Sequence, residues 1–163
     1  MKKVLVVMGS DSDLKVMEKC VDRLKSFDIP TEVRICSAHR TPAVAEHLAK
    51  NAAAEGFGVI IAAAGKAAHL GGVLAAYTTL PVIGVPMATS VMGGMDSLLS
   101  IVQMPKGIPV ATVAIDGADN AAILAAQMIA LSDDALAQKL AQFKADMAAE
   151  VTAKDEKVRA QFA

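Results

Sequence analysis

Hydrophobic residues alternate between two patterns along this chain. Short unbroken apolar runs are separated by longer stretches in which an apolar residue returns every three or four positions. The run "KKVLVVM" (residues 2–8) is expected for a strand buried on both faces. From Ser12 to Phe27 the residues Leu14, Met17, Val21 and Leu24 recur at helical spacing. "DIP" is a turn and "TEVRIC" (31–36) a second strand. Thr41 then stands as a helix cap with Pro42 at the first helical position, and Val44 and Leu48 supply an apolar stripe. "GVIIAAA" (58–64) is the third strand, from which Gly65 turns into an Ala-rich helix. "PVIGVP" (81–86) is the fourth. A loop containing "MGGMD" leads to a short helix over Asp96–Gln103. "PVATVAI" (109–115) is the fifth strand, and a helix follows over Asn120–Leu131.

Strands alternating with helices predict a parallel sheet covered on both faces. Right-handed crossovers leave few topologies. The expected fold is α/β, a flavodoxin-like three-layer sandwich on a five-stranded sheet of order 2-1-3-4-5. Residues 1–163 read as a single α/β domain, with 132–163 as a C-terminal helical extension. In that extension Leu136, Leu140, Phe143, Met147 and Val151 step by three or four between charges. A helix of ~28 residues would be ~42 Å long. It would overhang a domain whose radius of gyration is ~15 Å. Such a helix needs a partner, and another subunit is the natural one; the alternative is folding back on its own domain.

Composition sharpens this picture. Hydrophobic residues make up 54% and the mean hydropathy is +0.44, which is high for a small monomer and fits extra burial between subunits. A net charge of -1 and only 3% aromatic residues argue against nucleic acid or a membrane as partner. The stretch Gly56–Tyr77 has membrane length. Lys66, His69 and several glycines near its middle instead predict a strand, a glycine turn and a buried helix. The opening "MKK" is followed by too short an apolar run for a signal peptide. Cys20 and Cys36 match no zinc or redox spacing and are expected as buried thiols of a cytoplasmic protein.

In open parallel sheets, ligands bind beyond the carboxyl ends of the strands at the switch point, here between the first and third strands. Four segments meet there: "GSDSD", "SAHRTP", "GKAAHLGG" and "MATSVMGGMD". Ser10 and Ser12 stand at a helix N-terminus that suits an anion, and Asp13 can accept hydrogen bonds from a sugar diol. There is no G-x-G-x-x-G and no Walker lysine. Arg40 can grip a phosphate bidentately and Ser37 can donate to it. His39 suits proton transfer near neutral pH. Lys66 reads either as meeting a carboxylate or as lying in solvent. His69 reads either as a pocket residue or as a buried structural histidine, and His47 as solvated. The three histidines have no ligand spacing for a metal.

Laid out in order, "MGSDSD", "SAHRTP", "AAHL", "GMDSLLSIVQMPKGIPVATVAI" and "NAAILAAQMIA" resemble the class I N5-carboxyaminoimidazole ribonucleotide mutases (PurE) of purine biosynthesis. The resemblance covers roughly Lys3 to Leu131. It implies an isomerase that moves a carboxylate from the exocyclic nitrogen of the substrate to a ring carbon. The implied route is decarboxylation, trapping of CO2 and recarboxylation, without a metal or organic cofactor. By resemblance, His39 is the general acid/base. Ser10, Asp13 and Arg40 match substrate-binding positions, Ser12 and Ser37 fall in the phosphate-binding loops, and His69 matches a pocket histidine. Ala67, Ala68 and Leu70 are expected to line the CO2 chamber. The implied assembly is a homo-octamer. The chain departs from the family pattern "AGAGGAAHLPG" at Ala63, Lys66 and Gly71, and Lys66 puts a cation beside the expected carboxylate pocket. Class II relatives, which carboxylate the aminoimidazole ribonucleotide directly, carry "AGRSNALSG", which this chain lacks. A flavin mononucleotide binding module is the alternative from another class; the sparse aromatic residues weigh against it.

Overall fold

The computed structural model describes all 163 residues. Its elements run β1 (Lys3–Met8), a 3-10 turn (Asp11–Asp13), α1 (Leu14–Ser26), β2 (Thr31–Ile35), α2 (Pro42–Asn51), β3 (Phe57–Ala64), α3 (Leu70–Tyr77), β4 (Val82–Pro86), α4 (Met95–Val102), β5 (Ala111–Thr112), α5 (Ala118–Ala130) and α6 (Asp134–Gln161). The five strands are parallel in the order β2-β1-β3-β4-β5.

Strand side chains alternate between two cores. Val4, Val6 and Met8 of β1, with Val59 and Ile61 of β3, pack towards α1 and α5. Leu5 and Val7, with Ile60 and Ala62, pack towards α2, α3 and α4. Both faces of β1 and β3 are therefore dry, which is why their sequences read as unbroken apolar runs. Gly84 of β4 lets α4 lie directly on the sheet: a Cβ there would come within 2.3 Å of Ile101 Cγ2.

Several local expectations are corrected. The buried face of α1 is Met17, Cys20 and Leu24, while Leu14 is 43% exposed. One turn earlier that same stripe carries Asp13, so a carboxylate occupies a position that helical periodicity turns inward. On α2 the buried residues are Ala45, Leu48 and Ala49, and Val44 faces outward. The fifth strand is shorter than its apolar run. Only Ala111 and Thr112 pair in the ladder, opposite Ile83 and Gly84 of β4. The extended path continues through single bonds, Val113 N–H to Gly84 C=O and Asp116 N–H to Pro86 C=O.

The first part of the tail folds back on its own domain. Leu136 is buried, and Leu140 and Phe143 pack against the α1/α5 core. Phe143 meets Phe27 edge-on at 5.5 Å. Residues 144–163 are then all exposed, including Met147, Val151, Val158 and Phe162. No helix is long and apolar enough to cross a membrane. Cys20 and Cys36 are free and buried, and burial pushes the Cys20 thiol up to about 12, which leaves it unreactive.

Candidate active site

The loops that follow β1, β2, β3 and β4 converge on one cleft of about 580 Å³. It lies at the carboxyl ends of the strands, where the chain order reverses between β1 and β3. Ser10, Ser12, Asp13, Ser37, His39, Arg40, Lys66 and His69 all line it. Up to 59 residues of chain separate them (Ser10 to His69), and the sheet topology brings them together. His47 lies outside it, exposed on α2 and bonded to Asn51.

After β1, Ser10 caps the 3-10 turn, with its Oγ accepting the Ser12 N–H at 3.3 Å. Asp13 is almost fully buried. Burial pushes its pKa above the ordinary carboxylate value. The Ser12 hydroxyl and the Ser10 backbone pull against that rise, and the nearby charges of Asp116 and Asp11 add to it. The cleft therefore holds a carboxylate with few donors of its own, and hydroxyl donors from a ligand would relieve it.

After β2, the "SAHRT" loop is closed by Thr41. Its Oγ1 accepts the Ser37 N–H at 3.0 Å and donates to the Ser37 carbonyl at 3.0 Å. Thr41 does occupy the cap position of α2, but its side chain makes no cap bond there; it locks the loop instead. The Arg40 N–H donates to Ser37 Oγ at 3.2 Å. That leaves the Ser37 hydroxyl proton pointing away from the backbone and free to meet an anion. His39 and Arg40 sit at the exposed tip of this locked loop.

After β3, Gly65 and Lys66 turn the chain. Lys66 adopts φ 59°, a left-handed conformation that costs a non-glycine residue of order 1 kcal/mol. Two serines of α4 hold it there. Ser97 Oγ accepts the Lys66 N–H at 2.9 Å, and Ser100 Oγ donates to the Lys66 carbonyl at 3.2 Å. Ala67 and Leu70 line the cleft, whereas Ala68 is buried in the core beneath α2 and α3, so the expectation that it lines a chamber is not met. His69 precedes the first residue of α3 and is exposed in the cleft, not buried. The other two departures from the family pattern lie off the site: Ala63 is buried in β3 and Gly71 is buried in the first turn of α3.

After β4, Met87, Ala88, Thr89 and Ser90 complete the wall. Thr89 Oγ1 donates to Asp96 Oδ1 at 2.8 Å and accepts the Gly94 N–H at 3.3 Å. Gly94 itself, at φ 100°, starts α4. Sequence reasoning singled out this segment but not Thr89 or the two serines behind Lys66. The only available signal was the run of small polar residues after a strand end. No Phe or Tyr faces the cleft, so nothing there would sandwich a flavin ring.

Comparisons with known proteins identify the relatives of this chain. A family model described as AIR carboxylase matches residues 3–150. A protein of Methanocaldococcus jannaschii named N5-carboxyaminoimidazole ribonucleotide mutase is 52% identical over 159 residues, 98% of this chain and 99% of the relative. A protein of the same name from Thermotoga maritima is 51% identical over 158 residues, 97% and 92% of the two chains. The crystal structure of Treponema denticola PurE superposes with a TM-score of 0.87 at 30% identity, covering 94% of this chain and 96% of that one. A match that runs through all four cleft loops, with relatives similar along almost their whole length, places the chain in the AIR carboxylase family.

Proposed function

We propose that this protein is an isomerase that converts N5-carboxyaminoimidazole ribonucleotide to 4-carboxy-5-aminoimidazole ribonucleotide. The observation that carries this reading is the convergence of an acid/base histidine, an arginine, three serines and a buried carboxylate in one cleft. Arg40, Ser37 and the serines of the first loop form the phosphate end. Asp13 takes the ribose hydroxyls. His39 lies in the same cleft at the tip of the locked loop.

The chemistry then needs only His39. Protonated His39 gives its proton to the exocyclic nitrogen as the nitrogen–carboxylate bond breaks and CO2 leaves. The ring carbon attacks the held CO2, and neutral His39 removes the proton from that carbon as aromaticity returns. His39 starts and ends protonated, so the isomerisation has no net proton. CO2 must be kept from water between the steps. Ala67 and Leu70, with the chain after β4, offer the apolar side of that chamber.

The test is turnover by the purified protein. Fast conversion of the N-carboxylated ribonucleotide alone is the expected result. Preference for the uncarboxylated ribonucleotide with CO2 would make the protein a carboxylase, and turnover of neither would overturn the enzymatic reading.

We also propose that Lys66, which lines the cleft, meets the migrating carboxylate. Its strained backbone is the argument: glycine would hold φ 59° at no steric cost. Lys66→Gly should leave thermal stability level or raise it by up to ~1 kcal/mol, while substrate affinity falls severalfold. Unchanged affinity would remove Lys66 from the site.

The chain is also proposed to act as one α/β domain that assembles into a homo-oligomer, with an octamer as the expected size and the cytoplasm as its compartment. Exposed Met147, Val151, Val158 and Phe162 follow one stripe of α6 beyond the point where it leaves its own core. The α4 face adds exposed Met95, Leu99 and Val102. Ending the chain after Lys144 keeps Leu136, Leu140 and Phe143 in their core. That variant should stay folded yet sediment as a smaller species; an intact assembly by light scattering would refute a role for the tail.

A further inference from the structure

His39 and His69 reach the cleft from different segments, one from the loop after β2 and one from the residue before α3. Nε2 of His39 lies 2.7 Å from Nδ1 of His69. The rings stand nearly perpendicular, at 83°, with centroids 4.9 Å apart. At that distance the two nitrogens share one proton. Both backbones are fixed: His39 by the Ser37–Thr41 lock, and His69 by bonds from its N–H to the Ala67 carbonyl and from the Val73 N–H to its own carbonyl. The ring-to-ring bond removes the torsional freedom that remains.

Its direction matters. If His69 donated, His39 Nε2 would be an acceptor and the proton of neutral His39 would sit on Nδ1. His39 would then have no free lone pair for taking up a proton. If His39 donates, its Nε2 proton stays with His69 in every step, and Nδ1, which has no partner within the protein, is free to lose a proton and regain it. A residue that must serve first as acid and then as base needs the second arrangement.

We propose that His69 is a positioning residue for His39: through Nδ1 it accepts the His39 Nε2–H, and Nδ1 of His39 is the nitrogen that exchanges protons with substrate. This rests on the reading of His39 as the acid/base, and the first test below is independent of turnover.

The chain has only three histidines, so long-range proton–nitrogen spectra of the full-length, 15N-histidine-labelled protein are simple. His47→Gln, outside the cleft, identifies the third ring. In mildly alkaline buffer, where ordinary imidazole is neutral, His39 and His69 should both show the Nε2–H tautomer. An Nδ1–H pattern for His39 overturns the proposal. In His69→Ala, His39 should become a mixture of tautomers, and kcat should fall about 10–100-fold with KM nearly unchanged. His69→Asn places a carbonyl oxygen near the position of Nδ1 and should recover part of that loss. Equal kcat in the two variants, or a loss carried by KM while the His39 tautomer is unchanged, overturns the proposal. Should the unsubstituted chain turn over neither ribonucleotide, the functional reading fails, and the tautomer spectrum still decides the direction of the bond.

Discussion

His39→Asn should abolish measurable turnover while the ribonucleotide still binds. Both proton transfers in the proposed reaction run through this one side chain. General acid–base catalysis contributes about 10²–10⁴-fold per positioned group, and asparagine cannot carry a proton between the steps. A kcat reduced by at least about 10³-fold is therefore expected. The binding groups are elsewhere: Arg40, Ser37 and the serines of the first loop do not depend on the imidazole for their positions. The Ser37–Thr41 lock uses a backbone amide, a carbonyl and the threonine hydroxyl, so the loop keeps its shape without the ring. Calorimetric titration with the uncarboxylated ribonucleotide should give a dissociation constant within a few-fold of the parent. If activity survives, His39 is not the proton carrier. If binding and turnover vanish together, the substitution has damaged the loop and the role of the ring is smaller.

Arg40→Ala should act in the opposite sense, raising KM far more than it lowers kcat. A hydrogen bond to a charged group contributes ~1.5–3 kcal/mol, and a bidentate guanidinium–phosphate pair makes two. A loss of about 10²-fold in KM is the expected scale. Arg40 is exposed, and its one side-chain bond in the protein, Nε to Ser37 Oγ, is long at 3.5 Å. The fold should therefore not notice the change, and the thermal midpoint should hold. Arg40→Lys keeps the charge but not the planar fork and should fall between the two. An unchanged KM for Arg40→Ala would take this residue out of the phosphate site.

These two effects differ because the proposed reaction assigns holding and proton transfer to different side chains. The candidate residues that line the cleft were legible because they lie in the loops after apolar runs, where a parallel sheet must end in a loop. The unbroken runs of β1 and β3 predicted strands covered on both faces, and these are what the two cores show. The fifth strand was over-read, because an apolar run records burial and not pairing. Here only Ala111 and Thr112 pair with β4. The faces of α1 and α2 were read correctly at Met17, Leu24 and Leu48 and misread at Leu14 and Val44. Cys20, Ala45 and Ala49 fill the remaining buried positions, and the larger Leu14 and Val44, which are exposed, mimic a stripe.

The sequence by itself determined the order of the elements, the parallel sheet, the loops that meet at its switch point and most of the residues in the cleft. Each of these follows from periodicity and from residue chemistry next to a strand end, which are properties of the chain read in order. Tertiary structure alone decided three things. It put His69 against His39 at hydrogen-bond distance. It placed Ser97 and Ser100 behind the strained turn at Lys66. It showed α6 leaving its own core after Phe143. All three are contacts or departures set by packing between distant segments, and no local pattern encodes where two such segments will meet.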